Sequence, residues 1–487
     1  MRFTDQYNQV QLIRGAKWNS ISILYRQLWF AVVMLLLARM LTPTDFGIIG
    51  MTAVIIQFFN ILLNLGFEAA IVQRPSITRI QLTTLFWVNI IMGSLLVSVG
   101  IIFSPLVGIF YDMPELSSVF AALTIVLFSN SFGLVQKGLI LREFKFKQLA
   151  KVETVSATIA GLTALLLSYY GFGFWSLVVQ QIAISVINVL GFWLISSWRP
   201  SLIFKLNNLI EITKYSINVF YFNVLNFFTN NIDVIIIGKL VGSEQLGWYL
   251  MAYNIIFRPI QQLLIIFRKS LFPVISRLQN DLVSFHNLYI DAVKSLFIVV
   301  APLLLLIIYP VYIGLPILLG SKWIPAFPFI VMLCFAGLRV LIVSPVGIIF
   351  LATGHPQYQW KLSLFLVLPF SLLGMWLGYI MYHSAFGVVL MYNIFNIFLI
   401  IPGLYVAFRI IALSLTDFFR DLSDMSLIFS LLILVSGLSF LFDLYTNISS
   451  LIIFIIHTVI GVFVYFNAVI TKMPSNIASS FREGLNS

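Results

Sequence analysis

From Ile21 to Met40 the sequence is apolar, it breaks over Leu41-Thr-Pro-Thr-Asp-Phe-Gly47, and it turns apolar again to near Phe67. Each run is about 20 residues, which at 1.5 Å per residue matches the roughly 30 Å hydrocarbon core of a bilayer. Pro43 cannot continue a helix interior, and Thr44 or Asp45 can cap the helix that follows. Two membrane-spanning helices joined by a tight polar turn are expected. The pattern then recurs. After 18–40 and 46–67, apolar spans lie near 82–110, 116–136, 150–170, 174–196, 215–238, 246–267, 292–319, 326–350, 362–381, 387–408, 425–442 and 450–470, fourteen in all. With 61% of 487 residues apolar, 9% charged and a mean hydropathy of +1.04, a soluble globular fold is excluded. The fold class is an all-α integral membrane protein. The polar start Met1 to Lys17 and the length of the run after it predict no cleavable signal.

The formal charge of +11 raises the question of nucleic acid, and the placement of the cations answers it. With a cytoplasmic N-terminus, 22 of the 28 lysines and arginines face the cytoplasm and only Lys239 and Lys322 face outward; the other four lie within spans. Such an asymmetry sets orientation, with both termini inside. The basic balance is a topology signal, and no nucleic-acid partner is expected.

No segment outside the membrane exceeds about 25 residues, so no separate soluble domain is expected. The basic stretch 197–214 divides the first twelve spans into an N-terminal lobe, 1–196, and a C-terminal lobe, 215–410. Residues 411–487 add two spans and a tail. An internal repeat supports the division: Ala38-Arg-Met-Leu-Thr-Pro-Thr-Asp-Phe-Gly47 lies over Gly238-Lys-Leu-Val-Gly-Ser-Glu-Gln-Leu-Gly247 at a constant offset of 200. Both halves begin on the same side, as in transporters built from parallel repeats.

Charged residues at bilayer depth are costly and mark candidate sites. Arg26, Arg258 and Arg339 fall deep within spans, and Arg39 nearer an outer end. Glu68 and Glu153 fall at inner span ends, leaving Asp233 as the only carboxylate well inside. The excess of guanidinium implies a wet, cationic cavity. Arginine stays protonated when desolvated and presents a fork that suits phosphate oxygens. For Arg26 and Arg339 the alternative is a salt bridge or carbonyl contact, and for Arg258 a carbonyl freed by Pro259. For Arg39 it is an interfacial anchor. In the seventh span Asn223, Asn226, Asn230 and Asp233 share a helical face, and Asn19, Ser22 and Arg26 form a shorter stripe in the first. These amides suit sugar hydroxyls or helix-to-helix hydrogen bonds, and Asp233 a coupling cation or proton.

The remaining features read as structural. Inner basic residues Arg74, Arg79, Arg142 and Lys145 would attract an anionic lipid headgroup. Tyr111, Trp248, Tyr249, Trp323, Tyr379 and Tyr382 fall near outer boundaries, as an aromatic belt would. Pro302, Pro310, Pro345, Pro369 and Pro402 are placed to bend helices. The four histidines have no ligand spacing, and phosphate loops and catalytic sets are lacking, so neither metal nor cofactor is expected. The one cysteine, Cys334, reads as a core side chain.

Several stretches together carry a resemblance: Leu37-Ala-Arg-Met-Leu-Thr-Pro-Thr-Asp-Phe-Gly47, Leu65-Gly-Phe-Glu-Ala-Ala-Ile-Val-Gln-Arg74, Gln136-Lys-Gly-Leu-Ile-Leu-Arg-Glu-Phe-Lys-Phe146, Tyr170-Gly-Phe-Gly173 and Ala352-Thr-Gly-His-Pro356. The chain resembles the Wzx-type polysaccharide flippases of the multidrug/oligosaccharidyl-lipid/polysaccharide (MOP) superfamily, in particular the colanic-acid and teichuronic-acid exporter group. The resemblance implies two six-helix bundles in a V plus two C-terminal helices. It also implies movement of an undecaprenyl-diphosphate-linked oligosaccharide across the bacterial cytoplasmic membrane, without enzymatic activity. Membrane lipids and the polymerase and export machinery of the same pathway are the implied partners. Arg26 matches the first-helix arginine of this group. The rival readings are a cation-coupled small-molecule antiporter on the same scaffold, which needs acids at cavity depth, and a membrane polysaccharide-assembly enzyme.

Overall fold

The computed structural model describes the backbone of residues 9–205, 210–279, 281–423, 425–446 and 448–472. Side chains are described from residue 22 onward, apart from 206–219, 222, 427 and 468–472 within those ranges. The stripe residue Asn19 and residues 206–214, half of the 197–214 segment, lie outside the described side chains. Twenty α-helices follow in order: α1 (Gln9–Met40), α2 (Pro43–Asn64), α3 (Phe67–Gln73), α4 (Arg79–Tyr111), α5 (Glu115–Arg142), α6 (Phe146–Tyr169), α7 (Trp175–Ile195), α8 (Ile210–Val241), α9 (Ser243–Arg277), α10 (Leu282–Leu306), α11 (Ile308–Leu318), α12 (Phe327–Val343), α13 (Val346–Ala352), α14 (Pro356–Leu362), α15 (Leu368–Tyr382), α16 (Ala385–Phe398), α17 (Ile400–Ile411), α18 (Leu415–Ser423), α19 (Ser426–Tyr445) and α20 (Ser450–Lys472). Among the described residues, fourteen helical stretches are long and apolar enough to cross a membrane.

The polar turn breaks the chain where the sequence places it, but the cap is Thr42 and not Thr44 or Asp45: Thr42 caps α2 in a reciprocal capping box with Asp45, and Pro43 occupies the first turn, where its missing N–H costs nothing. Thr78 and Gln81 repeat the device at α4. Asp281 caps α10, and hydrogen bonds from Ser284 hold its carboxyl below the usual carboxylate range.

The chain divides into two compact units at Gly247. In the first, α5 is central, more than half of its span being buried, and it packs on α2, α3, α4 and α7. Small residues set the approach of the helices, because lipid supplies no hydrophobic drive for helices to associate. Gly93, Gly100 and Gly108 of α4 face Ser131, Thr124 and Ser117 of α5. Buried amides bridge the helices: Asn130 Nδ2 donates to Asn60 Oδ1 at 2.9 Å, and Ser185 Oγ donates to Asn130 Oδ1 at 2.7 Å.

The repeated turns also meet within this unit, in a reciprocal way. A methyl group built on Gly47 would overlap the Ser243 carbonyl, and one built on Gly247 would overlap the Pro43 carbonyl. At the offset of 200, positions 47 and 243 exchange with 247 and 43, so each repeat's glycine seats the other repeat's first helical residue. Beside this contact Lys239 pairs with Asp112 at 2.6 Å.

In the second unit α10 is the most buried span and packs on α12, α19 and α20. Prolines interrupt its helices as the sequence predicts. α10 ends at Leu306, four residues before Pro310, and α16 ends at Phe398, four before Pro402. A π-helical turn over Ser363–Val367 precedes Pro369. A proline lacks the N–H that would bond the carbonyl four residues back. The carbonyl freed by Pro310, that of Leu306, accepts from His457 Nε2 of α20 at 3.0 Å, while Ser436 of α19 donates to Leu305 O at 3.0 Å. His457 is thus a buried fastener of the last two spans.

The aromatic belt needs correction. Tyr111, Tyr249 and Trp323 are 4%, 2% and 0% exposed, so they are core side chains, whereas Tyr382 remains exposed. A near-boundary position does not reveal which side of the helix faces lipid.

Three stability effects follow. Gly47→Ala is expected to destabilise the detergent-purified protein by about 1–3 kcal/mol or more through overpacking. Gly403→Ala, whose methyl group would meet nothing within 4 Å, is expected to be neutral or stabilising. His457→Ala leaves the Leu306 carbonyl unbonded and is expected to cost about 1–3 kcal/mol. Thermal unfolding of each variant beside the parent protein measures all three.

Candidate functional site

Arg26 sits on the face of α1 that packs against α6, and its Nη1 is ion-paired with Glu153 Oε2. This corrects the expectation that Glu153 ends its helix: it lies seven residues inside α6, so Asp233 is not alone at depth. The same faces are zipped along their length. Ser22 Oγ donates to Ala150 O at 3.2 Å and lies 2.9 Å from Thr154 Oγ1. Tyr25 reaches Thr158, and Trp29 Nε1 donates to Ala157 O at 3.0 Å. Below them Gly161 leaves room for the Trp29 ring. The described part of the first-span stripe therefore serves helix-to-helix bonding, although the Arg26 Nε remains buried without a hydrogen-bond partner.

Arg339, on α12, is held differently. Its Nη1 donates to Asn396 Oδ1 of α16 at 3.2 Å. Among the described residues no carboxylate lies within 4.0 Å of it, and its Nε is buried without a partner. Arg339 therefore keeps its full charge. Arg258, immediately before Pro259 in α9, is exposed, as is Arg39 in the last turn of α1.

The seventh-span stripe lies on α8. Asn223 and Asn226 are half-buried, Asn230 is exposed and donates to Asn226 O at 2.7 Å, and Asp233 is buried with Oδ1 accepting from Val234 N at 2.9 Å. Asn230 thus spends one of its amide hydrogens on its own helix and keeps an exposed oxygen. Phe58 of α2 packs on Phe227 and Phe228 of the same helix, with centroids 5.2 and 5.7 Å apart.

Arg142 corrects another expectation. It is buried, its Nη1 donating to Ile71 O at 2.7 Å and Arg74 O at 2.6 Å and its Nη2 to Pro75 O at 3.0 Å. The guanidinium caps the carbonyls that end α3 and is not free to draw in a lipid headgroup. Lys145 likewise pairs with Glu143 at 2.6 Å, while Arg79 remains exposed.

Sequence reasoning placed Glu153 at a span end, the first of two oversights, and missed Asn396, the second. A usable signal existed for the second, since Asn393 and Asn396 stand one turn apart in an otherwise apolar span. In the same unit α9, α10, α11 and α20 enclose a cavity of about 510 Å³ lined by side chains such as Ile256, Leu263, Leu303, Pro310 and Val462, with His457 and Thr458 the polar ones. Among the described residues no group of three or more metal-ligating side chains is gathered.

A family model described as polysaccharide biosynthesis protein matches residues 36–328. The teichuronic acid biosynthesis protein TuaB of Bacillus subtilis (strain 168) is 25% identical over 416 residues, 85% of each chain. The lipopolysaccharide biosynthesis protein WzxC of Escherichia coli (strain K12) is 26% identical over 367 residues, 72% of each. Among solved structures, the lipid II flippase MurJ in an inward closed conformation has a TM-score of 0.72 at 14% identity, covering 96% of this chain and 99% of that one. An inward-facing multidrug resistance MATE family transporter of the MOP superfamily has a TM-score of 0.62 at 15% identity, covering 79% and 94%. The fold is that of the MOP-superfamily transporters. With more than half of its length matched by the family model, this chain belongs to the polysaccharide biosynthesis protein family.

Proposed function

We propose that the chain is a flippase. It moves an undecaprenyl-diphosphate-linked oligosaccharide repeat unit from the inner to the outer leaflet of the bacterial cytoplasmic membrane by alternating access, for cell-surface polysaccharide assembly. The observation that carries this reading is Arg339, a guanidinium inside a span with a neutral amide as partner and no carboxylate beside it among the described residues. Such a charge is tolerated at bilayer depth only beside water or an anion. A lipid diphosphate is an anion that a membrane transporter of this family meets. Relatives named for teichuronic acid and lipopolysaccharide biosynthesis, and the fold shared with a lipid II flippase, support the substrate class.

In this reading Arg339 is the principal diphosphate contact and Arg258 of the same unit a further cationic one, whereas Arg26, paired with Glu153, joins α1 to α6. Asn223, Asn226 and Asn230 contact the glycan, and Asp233 is the candidate for a coupling cation. The polyprenyl chain stays in lipid, and the apolar cavity beside α20 is of a size and character to take part of an aliphatic chain. Lobes 1–196 and 215–410, joined by 197–214, are the moving parts, and residues 411–487 add the last two spans and the tail. The 22-to-2 asymmetry of basic residues supports a cytoplasmic position for both termini. Polymerase and export proteins of the pathway are the proposed partners.

Deletion of the gene is expected to leave a lipid-linked repeat unit on the inner face of the membrane, and its structure identifies the glycan. No accumulating intermediate would defeat the reading. Arg339→Ala, expressed at parental level, is expected to lower export roughly ten- to a hundredfold, which corresponds to the about 1.5–3 kcal/mol of a hydrogen bond to a charged group. Arg26→Gln paired with Glu153→Gln removes both charges together, and is expected to lower export less than Arg339→Ala does. Undiminished export by Arg339→Ala would remove Arg339 from the site.

A further inference from the structure

We infer that Asn396 is a positioning residue that holds Arg339 for an anionic headgroup while leaving its charge uncancelled. The inference rests on the diphosphate reading above and deepens it. Asn396 is 2% exposed, one turn beyond Asn393 on α16. Its Nδ2 donates to Ser371 Oγ of α15 at 3.1 Å and to Tyr392 O at 2.8 Å. With both amide hydrogens committed, Oδ1 is left to accept, and it accepts from Arg339 Nη1 at 3.2 Å. Turning the amide over would set its N–H against the guanidinium N–H, so the network itself fixes the orientation.

The chemistry of the partner decides what Arg339 can do. A carboxylate would accept from the guanidinium more strongly than an amide, and an interior that needed only a fastener between α12 and α16 would be better served by one. It would also cancel the charge. Arg26 shows that outcome within the same chain, since Glu153 is its partner. At Arg339 the neutral acceptor aligns the fork without neutralising it, and the Nε, buried and without a hydrogen-bond partner, remains as a donor. A fixed, charged fork suits the oxygens of a phosphate or diphosphate.

The test uses the full-length protein in detergent with undecaprenyl diphosphate as the anionic probe and undecaprenol as the neutral one. Asn396→Asp keeps the shape and the acceptor and supplies the missing negative charge; Ser371 can then donate where it accepted. The expected result, in folded protein, is affinity for undecaprenyl diphosphate lowered at least about tenfold, toward that of Arg339→Ala, with affinity for undecaprenol unmoved. A purely structural role predicts the parental preference for the diphosphate, and that result would overturn the inference while leaving the diphosphate reading intact. If Arg339→Ala itself binds the diphosphate as the parent does, the site reading fails and this inference with it. Should Asn396→Asp not yield folded protein, Asn396→Ser and Asn396→Leu ask the same question with neutral side chains. Positioning requires the hydroxyl variant to bind the diphosphate more tightly than the leucine variant, and equal binding would overturn it.

Discussion

A guanidinium placed among membrane helices has to be met by oxygen, and most of what distinguishes this protein follows from which oxygen meets each one. Arg142 is given three backbone carbonyls, Arg26 a carboxylate, and Arg339 a side-chain amide. The first arrangement closes the end of α3, the second joins α1 to α6 with the charge cancelled, and the third fixes a cation without cancelling it. Arginine cannot escape the cost of burial by losing its proton, as lysine can. The choice of partner is therefore the means by which the chain separates structural cations from functional ones.

The same rule of satisfaction governs the backbone. Wherever a proline breaks a span, a carbonyl loses its partner, and in a bilayer no water replaces it. His457 and Ser436 answer this at the α10–α11 break, and in doing so they bind the last two spans to the most buried helix of their unit. Where prolines bend spans, glycines let helices approach. The reciprocal seats of Gly47 on Ser243 and Gly247 on Pro43 show that two positions recognisable only as a weak sequence repeat form one two-fold contact.

A good deal was legible beforehand. Fourteen spans could be counted because bilayer thickness fixes helix length, and the breaks before Pro310 and Pro402 follow from local chemistry, whereas the cap of α2 proved to be Thr42 and not Thr44 or Asp45. The candidate site was legible only in its cations. Depth along a helix can be measured from the sequence, but the direction in which a side chain points around the helix is set by neighbours far away in the chain. Tyr111, Tyr249 and Trp323 were expected near outer boundaries facing lipid, yet proved to be core residues for this reason. Arg142 was basic and close to a span end, yet three carbonyls contributed by residues 67 to 71 positions earlier had already taken it.

By itself, then, the sequence determined an all-helical membrane protein, the number of its spans, its basic asymmetry and its internal repeat. Each of these depends on period, length or composition, which a linear chain carries in full. Only tertiary structure decided that Glu153 belongs to Arg26 and Asn396 to Arg339, partners 127 and 57 residues apart. Which cation is neutralised depends on a distance of a few ångströms between helices, and no local pattern encodes that distance.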